Sequence, residues 1–206
     1  MRQLFSLLFF AVAMAAQTGG WIDLFPDARF SHWTRRPFPP GGVLAEPSQW
    51  KVDPATRVLI CEGTGGHEVL RYDREFGDFV FHVEWRFTKL PGEPRYNSGV
   101  FIRNNADGSV WHQAQTGPAG GFLFAVTPVK GVNQRISFQK QMKENRVKPV
   151  GEWNTYEITA KGRAIALDVN GATVSEFTEC DVPKGYVGLE AEGYRIEFRN
   201  IRIKPL

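Results

Sequence analysis

The chain has 206 residues, with 25 basic and 22 acidic side chains and a formal net charge of +3. This length suits one domain that is large enough for a full hydrophobic core. The near-neutral balance argues against a nucleic-acid partner, because a face that binds phosphates needs a stronger basic excess.

The N-terminal segment has the pattern of a secretory signal peptide. Arg2 precedes an apolar run over residues 4–14, and Ala13-Met14-Ala15 fits a small-residue cleavage site. We therefore predict a signal peptide over residues 1–16, a single domain over 17–206, and export to the periplasm or the extracellular space. The apolar run is too short to span a bilayer comfortably, so we expect no membrane span after cleavage.

The rest of the chain consists of short predicted strands separated by turns. Residues 78–89 alternate strictly, with aromatic residues and valine on one face. Residues 153–178 contain three strands around a glycine turn and Asn170-Gly171, a strong hairpin signal because both residues accept a positive φ. Further strands are predicted at 57–62, 67–71, 97–104, 110–115 and 121–126, and in GYVGLEAEG and YRIEFRNIRIKPL. The pattern predicts an all-β domain of two packed sheets, a sandwich or jelly roll.

Two segments between the strands stand out by composition. The Pro-rich stretch RRPFPPGG at 35–42 is predicted to be a surface loop, and the pattern over 136–145 allows a short helix. Six basic side chains lie between residues 129 and 149, against the single acid Glu144: Lys130, Arg135, Lys140, Lys143, Arg146 and Lys148. This run is either a solvated loop or a lid that meets an anionic or oxygen-rich ligand.

The two cysteines leave two alternatives open. Export permits a disulfide between Cys61 and Cys180, whereas the apolar run VLICEG around Cys61 fits a buried free thiol. Neither has a His or Cys at zinc-ligand spacing. The four histidines are far apart in sequence, so spacing predicts no metal, although a divalent cation held across several strands would leave no spacing to see.

Polar side chains on the predicted strands are the candidates for a functional site. Strict alternation over 96–104 places Asn97 and Arg103 on one face. An arginine on an internal strand needs either a carboxylate partner, for which Glu84 is a candidate, or an anionic ligand group.

Two further strands carry polar pairs. Trp111, Gln113 and Gln115 share one face, and Trp111 could either stack on a sugar ring or fill the core. Glu190 and Glu192 share a face of the strand in GLEAEG. Two such carboxylates repel each other unless they are solvated, paired with arginine or bound to a cation.

The order of several motifs resembles the 3-keto-disaccharide hydrolase domain, from about Gly20 to Leu206. These motifs are GWIDLF, GDFVFHVEWR, NSGVFIRN, GEWNTYEI, VNGATV, GYVGLEAEG and IEFRNIRIKPL. The resemblance implies a concanavalin A-like jelly roll of two curved antiparallel sheets, with a carbohydrate site on the concave sheet. It also implies cleavage of glycosides already oxidised at C3, because the ketone acidifies the C2 proton and a base can then drive elimination.

This chain has only some of the site residues that the family's motifs would place at the matching positions. Glu84, Asn97 and Arg103 match the family's motifs, and Gln115 is retained beside Trp111 and His112 in the segment that would contact substrate. The glutamate expected at position 113 is Gln113, a carboxamide that cannot act as a base. Where the family has Gln-x-His-Gly, this chain has Glu190-Ala191-Glu192-Gly193.

Two explanations of these changes compete. In the first, the protein is a rewired enzyme with Glu192 or Glu190 as base or cation ligand, Arg103 as the electrophilic group, and the carboxamides of Gln113 and Gln115 on sugar hydroxyls. In the second, catalysis is lost and a glycan-binding module remains on the same scaffold. Both explanations predict that the ligand lies near Glu84, Arg103, His112, Gln113, Gln115, Glu190 and Glu192.

Overall fold

The computed structural model describes residues 20–27, 29–89 and 96–206, with only the backbone of Lys89. The predicted signal peptide at 1–16 lies outside these residues. No helix among the described residues is long and apolar enough to cross a membrane.

Two antiparallel sheets make up the fold. The first sheet has the order β13-β12-β11-β6-β15-β4-β3, with β1 paired to β15. Its strands are β1 Ile22–Asp23, β3 Trp50–Asp53, β4 Val58–Cys61, β6 Phe79–Lys89, β11 Asn154–Lys161, β12 Ala164–Val169, β13 Ala172–Phe177 and β15 Arg195–Pro205.

The second sheet has the order β10-β9-β8-β7-β14-β5-β2. Its strands are β2 Trp33–Pro37, β5 Glu68–Phe76, β7 Gly99–Asn104, β8 Trp111–Gln115, β9 Leu123–Val129, β10 Val132–Ser137 and β14 Gly185–Ala191. Strands β7 to β10 pair with their neighbours in sequence, whereas β14 lies between β7 and β5, so the outer face of this sheet collects side chains from distant parts of the chain.

The hydrophobic core lies between the two sheets. The alternating face of β6 points inward, and Phe79, Phe81, Val83, Trp85 and Phe87 are each at most 1% exposed. The opposite sheet contributes its own inward positions, including Val100, Ile102, Ala114, Leu189 and Ala191. Burial of each large apolar side chain contributes about 1.5–3 kcal/mol, so the sandwich holds the strands of the second sheet in a fixed register.

The predicted strands and the all-β fold are confirmed. The hairpin at Asn170-Gly171 has the positive φ angles that the sequence predicts, 50° and 88°, and it joins β12 to β13. The short helix that the pattern allows over 136–145 is present only as a 3₁₀ helix at Gln139–Gln141, because β10 extends to Ser137. The Pro-rich stretch at 35–42 is also only partly a loop, because its first three residues end β2.

Both cysteines are buried free thiols, so the predicted alternative of a disulfide between them is not what the structure shows. Cys61 donates towards Oε1 of Gln49, and burial raises the pKa of the Cys61 thiol to about 12. Sγ of Cys180 lies 3.4 Å from Nε2 of His112 in the interior.

Candidate active site

The outer face of the seven-stranded sheet carries a cavity of about 660 Å³, which we call the main pocket. Loops and strands on both sides of the central strands enclose it. Its polar side chains are His67, Asn97, Gln113, Gln115, Thr116, Arg135, Gln139, Glu190 and Glu192. Its aromatic side chains are Phe38, Tyr96, Trp111, Phe122 and Phe124. Aromatic surface with a few convergent polar groups is typical of a small-molecule site.

Glu190 is the centre of the polar cluster in the main pocket. Its side chain is only 3% exposed. Its Oε1 lies 2.8 Å from Nε2 of His67, and its Oε2 accepts a hydrogen bond of 2.5 Å from Nε2 of Gln113. A buried carboxylate requires such partners to offset the loss of its hydration, so these two side chains hold Glu190 in place.

Gly99 makes this arrangement possible. It lies on β7 beside Glu190 and is paired with Gln115 on β8. A Cβ atom at position 99 would lie 1.8 Å from Nε2 of Gln113. The missing side chain therefore leaves the path by which Gln113 reaches across β7 to Glu190.

Glu192 has the most perturbed carboxyl group of the pocket. Burial and the neighbouring charge of Glu190 raise the pKa of Glu192 to about 7, although His67 acts in the opposite direction. Burial disfavours the imidazolium form of His67, but its hydrogen bond and charge interaction with Glu190 raise the pKa of His67 above 6.5. Such perturbed groups in a cavity are typical of sites that move protons.

The same three side chains could hold a divalent cation. His67, Glu190 and Glu192 each offer a ligand atom, and these atoms lie within 4.8 Å of one another. One imidazole and two carboxylates suit first-row divalent metals. A bound cation would take the place of the direct contact between His67 and Glu190.

Trp111 forms the aromatic floor beside this cluster. Its ring packs edge-to-face against Phe38, Phe101 and Phe124, with centroid distances of 5.7, 5.9 and 5.1 Å. Trp111 is only 8% exposed, so most of its surface is in this packing. Arg135 also lines the main pocket. Its guanidinium lies 4.8 Å from the ring centroid of Phe124, so one residue of the predicted basic segment reaches the pocket.

Two polar atoms in the pocket lining have no partner within the protein. Oδ1 of Asn97 and Oγ1 of Thr116 are buried and make no hydrogen bond. Buried polar atoms are nearly always satisfied, so such an atom calls for an explanation. Because both residues line the main pocket, hydroxyl groups of a ligand fit these two positions.

Arg103 lies outside the main pocket, and both its predicted role and its predicted partner Glu84 need correction. A β-bulge between β7 and β14 inserts an extra residue, and Arg103 adopts φ 49° there. The bulge breaks the alternation and directs the side chain to the interior, where it is 0% exposed. Arg103 donates to the carbonyl oxygens of Gly77, Gly162 and Val182 and pairs with Asp78 at 2.9 Å.

Glu84 and His112 are also not brought to the pocket. Glu84 lies on β6 of the other sheet, where its carboxylate accepts from Arg199 at 2.7 Å and from Asn200. His112 alternates with Trp111 and Gln113 and therefore points into the sandwich, where Nε2 lies 3.0 Å from Oγ1 of Thr127. The predicted contacts of these two residues with a ligand do not fit their positions.

The remaining predicted site residues converge. Asn97, Trp111, Gln113, Gln115, Glu190 and Glu192 all line the main pocket. His67 and Phe38 also line the pocket, although the sequence pattern does not predict them as site residues. His67 precedes β5, whose residue Glu68 pairs with Ala191 of β14, so only the pairing of strands far apart in sequence reveals its proximity to Glu190. Phe38 belongs to the Pro-rich stretch, and its ring lies 4.8 Å from that of His67.

Comparisons with known proteins agree with this architecture. Residues 20–204 match the family described as the 3-keto-alpha-glucoside-1,2-lyase-like domain. A protein from Parabacteroides distasonis ATCC 8503, assigned as a glycosyl hydrolase, superposes with a TM-score of 0.62 at 18% identity, over 91% of this chain and 94% of that one. No curated protein shows a significant match.

Two further structures share the jelly roll. The carbohydrate-binding module CBM66 from Bacillus subtilis has a TM-score of 0.58 at 13% identity, over 84% of this chain and 95% of that one. The β-glucanase of Bacillus licheniformis has a TM-score of 0.58 at 13% identity, over 92% and 100%. At these identities the similarity is one of fold, which both enzymes and binding modules use.

Proposed function

Since the chain belongs to the 3-keto-alpha-glucoside-1,2-lyase-like family, we propose that it is an exported enzyme that cleaves glycosides oxidised at C3. The observation that supports this proposal is the convergence of Glu192, Glu190 and His67 in a pocket that also presents carboxamides and an aromatic floor. The family is carbohydrate-active, and the pocket offers both the base and the hydroxyl-binding groups that this reaction needs.

The reaction requires a base at C2. A ketone at C3 acidifies the C2 proton, so a carboxylate can remove it while the electron pair moves onto the ketone oxygen as an enolate. When the enolate collapses, the ketone re-forms, a C1=C2 double bond forms and the bond from C1 to the leaving oxygen breaks. That oxygen takes up the proton that the base removed from C2, which regenerates the carboxylate. Addition of water to the resulting enone then completes a net hydrolysis. This route needs one base and N–H donors for the enolate oxygen, and it differs from hydrolysis by a pair of acid and nucleophile carboxylates.

Glu192 is the base in this proposal. Both oxygens of Glu190 already contact His67 and Gln113, whereas Glu192 lines the cavity with no hydrogen-bond partner among the described residues. Glu190 and His67 act as positioning residues for Glu192. The carboxamide of Gln115 lines the same cavity and donates one of its two N–H groups to the carbonyl oxygen of Ser98, so its other N–H is the donor for the enolate oxygen. Asn97 and Thr116 accept from sugar hydroxyls.

The decisive experiment follows proton removal and bond cleavage separately. Purified protein is incubated with a 3-keto-α-glucoside in D₂O, with added Mn²⁺ or Ca²⁺ and with a chelator, and both exchange at C2 and release of the leaving group are measured. Glu192→Gln should lower both rates about 10²-fold or more. Glu179→Gln, an exposed position away from the pocket, should leave both rates unchanged.

Two outcomes would contradict the proposal. Absence of exchange and release under every condition would exclude the enzyme. The second outcome is saturable binding of a sugar without exchange at C2. If that binding is lost in Gln115→Ala, the chain is a glycan-binding module. Export is tested independently by fusing residues 1–20 to a reporter and following its cleavage and location.

A further inference from the structure

A second cavity of about 220 Å³ lies on the outer face of the seven-stranded sheet, next to the main pocket. Phe38 lines both cavities and packs on Phe101 and Trp111, so its ring is the partition between them. The second cavity is lined by the end of β2, by β5, by the last residue of β7 and by the turn that follows it at residues 105–108. We call it the side pocket.

Arg71 is the most distinctive side chain of the side pocket. It is only 11% exposed, and its guanidinium lies 4.0 Å above the ring centroid of Tyr186. One terminal nitrogen donates to the carbonyl oxygen of Ala106 at 3.1 Å, but the buried Nε makes no hydrogen bond. A guanidinium has five donors in a fixed plane, so Arg71 is a rigidly held cation with donor capacity left over.

A second cation lies beside it. Arg36 on β2 pairs with Val69, and Arg71 pairs with Thr34, which places the two arginines diagonally on the same face. Burial lowers the pKa of Arg71, and so does the neighbouring charge of Arg36. Among the described residues, Arg36 has no carboxylate within ion-pair distance.

Two carboxylates lie near the arginines, and each accepts a hydrogen bond from a neutral donor. Asp107 lines the side pocket, but its Oδ1 accepts from the backbone N–H of Ser109 at 2.9 Å. Oδ1 of Asp73 lies 3.9 Å from Arg71, and its Oδ2 accepts from Thr34. Hydrogen bonds from neutral donors leave these carboxylates charged, but among the described residues neither lies within ion-pair distance of Arg36. Arg36 is therefore the cation that remains available to an anion in the side pocket.

We propose that the side pocket binds an anionic group, a carboxylate or a sulfate, on a carbohydrate whose adjoining part occupies the main pocket. The guanidinium groups of Arg36 and Arg71 pair with its oxygens, and Nε of Arg71 donates one of the hydrogen bonds. This proposal rests on the proposed function in one respect, namely that a sugar occupies the main pocket. Anion binding in the side pocket can be measured without any turnover.

The test compares charged and neutral sugars directly. Glucuronate, glucose 6-sulfate, glucose and inorganic sulfate are titrated into the ¹⁵N-labelled protein, and the arginine Nε–H signals are followed by NMR. We expect the Arg71 Nε–H signal to shift with both charged sugars and not with glucose. Arg36→Gln should lower the affinity for both charged sugars about tenfold, because one charge-assisted contact is lost.

Matched variants separate the side pocket from other arginines. Arg202→Gln removes an exposed arginine that lies over Trp21 on the other sheet, and it should leave the affinities unchanged. Arg71→Lys keeps the charge but loses the planar donors, and its thermal unfolding shows whether the fold is retained. Arg36 is exposed, so Arg36→Gln gives an answer even if Arg71→Lys does not fold.

The possible results are distinct. Equal binding of glucose and glucuronate, or charged-sugar binding that survives Arg36→Gln, would overturn the proposal. Inorganic sulfate that binds as tightly as glucose 6-sulfate would also overturn it, because the sugar would then contribute nothing. If the Arg71 signal shifts with the charged sugars but the protein shows no exchange at C2, anion binding in the side pocket is supported. Only the proposed enzyme activity is then excluded.

Discussion

Gln113 donates a hydrogen bond of 2.5 Å to Oε2 of Glu190, although the strands that carry them, β8 and β14, are not neighbours. Strand β7 runs between them, and the amide reaches across it over Gly99. The carboxamide that replaces the expected glutamate is therefore a donor to the buried carboxylate. A glutamate at position 113 would instead place two negative charges at hydrogen-bond distance in a buried site, which is strongly unfavourable.

The first prediction concerns Gly99. In Gly99→Ala the new methyl group overlaps the Gln113 side chain, so Gln113 must turn away and Glu190 loses a donor. We expect a loss of about 1–3 kcal/mol in the free energy of unfolding, together with weaker ligand binding, both measured on the purified variant. Gly77→Ala is the matched control, because the nearest atom to its Cβ is 3.9 Å away. Equal stability of the two variants would contradict this account.

The second prediction concerns Arg103. Its guanidinium ties together the turns that contain Gly77 and Gly162 and the segment at Val182. Arg103→Met removes the guanidinium donors from these carbonyl groups. We expect urea unfolding to show a loss of about 3–5 kcal/mol, because each buried acceptor left unsatisfied costs about 1–3 kcal/mol. The folded fraction should retain its affinity for the ligand, because the side chain is remote from the main pocket. A stable variant with abolished activity would restore the catalytic role that the sequence suggested for Arg103.

Much of the fold could be predicted because alternation and turn residues are local signals. The inward face of β6 and the Asn170-Gly171 hairpin follow from neighbours in sequence. Alternation does not predict the position of Arg103, because a bulge depends on the register between β7 and β14, which the sequence of β7 alone does not determine. Alternation correctly separated His112 from Trp111, but it could not say that the His112 face is the core.

The candidate site was half predicted for the same reason. Glu190 lies on β14 and Glu192 directly follows its last residue, Ala191, so alternation at the end of this strand is enough to predict that the two side chains share a face. Their partner His67 is 123 residues from Glu190, and only the pairing of β5 with β14 brings the two together. Alternation places Glu84 on an outer face but does not say which of the two sheets that face belongs to. Glu84 lies on the eight-stranded sheet, whereas the main pocket lies on the seven-stranded sheet.

The third prediction uses the buried acceptor of Asn97. Since its Oδ1 has no partner, Asn97→Ala should change the free energy of unfolding by no more than about 0.5 kcal/mol. The affinity for a bound sugar should fall about fivefold to tenfold, as expected for one neutral hydrogen bond. Calorimetric titration and thermal unfolding check the two effects. Asn133→Ala, at an exposed position on β10, should change neither, and an Asn97→Ala variant with wild-type affinity would exclude the residue from the site.

The fourth prediction concerns His112 and pH. Burial lowers the pKa of His112 to about 4 from 6.5, and the charge of Arg103 contributes in the same direction. The backbone of Ile102 and Arg103 acts in the opposite direction but does not offset the burial. The hydroxyl of Thr127, the thiol of Cys180 and the ring of Phe177 also lie near the imidazole. The folded protein therefore holds the imidazole neutral, whereas the unfolded chain takes up a proton below pH 6.5. Because the unfolded chain binds this proton more readily, the free energy of unfolding falls by about 3 kcal/mol in total as the pH falls from 6.5 to about 4.

Urea unfolding of the wild type and of His112→Gln at pH 7.5 and at pH 4 isolates this contribution. The variant should be less stable than the wild type at pH 7.5, because the buried ring is lost, but its stability should fall by about 3 kcal/mol less between the two values. His67 has a raised pKa and acts in the opposite sense, and it is unchanged in both proteins. His32→Gln, an exposed position, should retain the wild-type dependence. Parallel curves for the wild type and His112→Gln would show that His112 is not the group that makes the fold sensitive to acid.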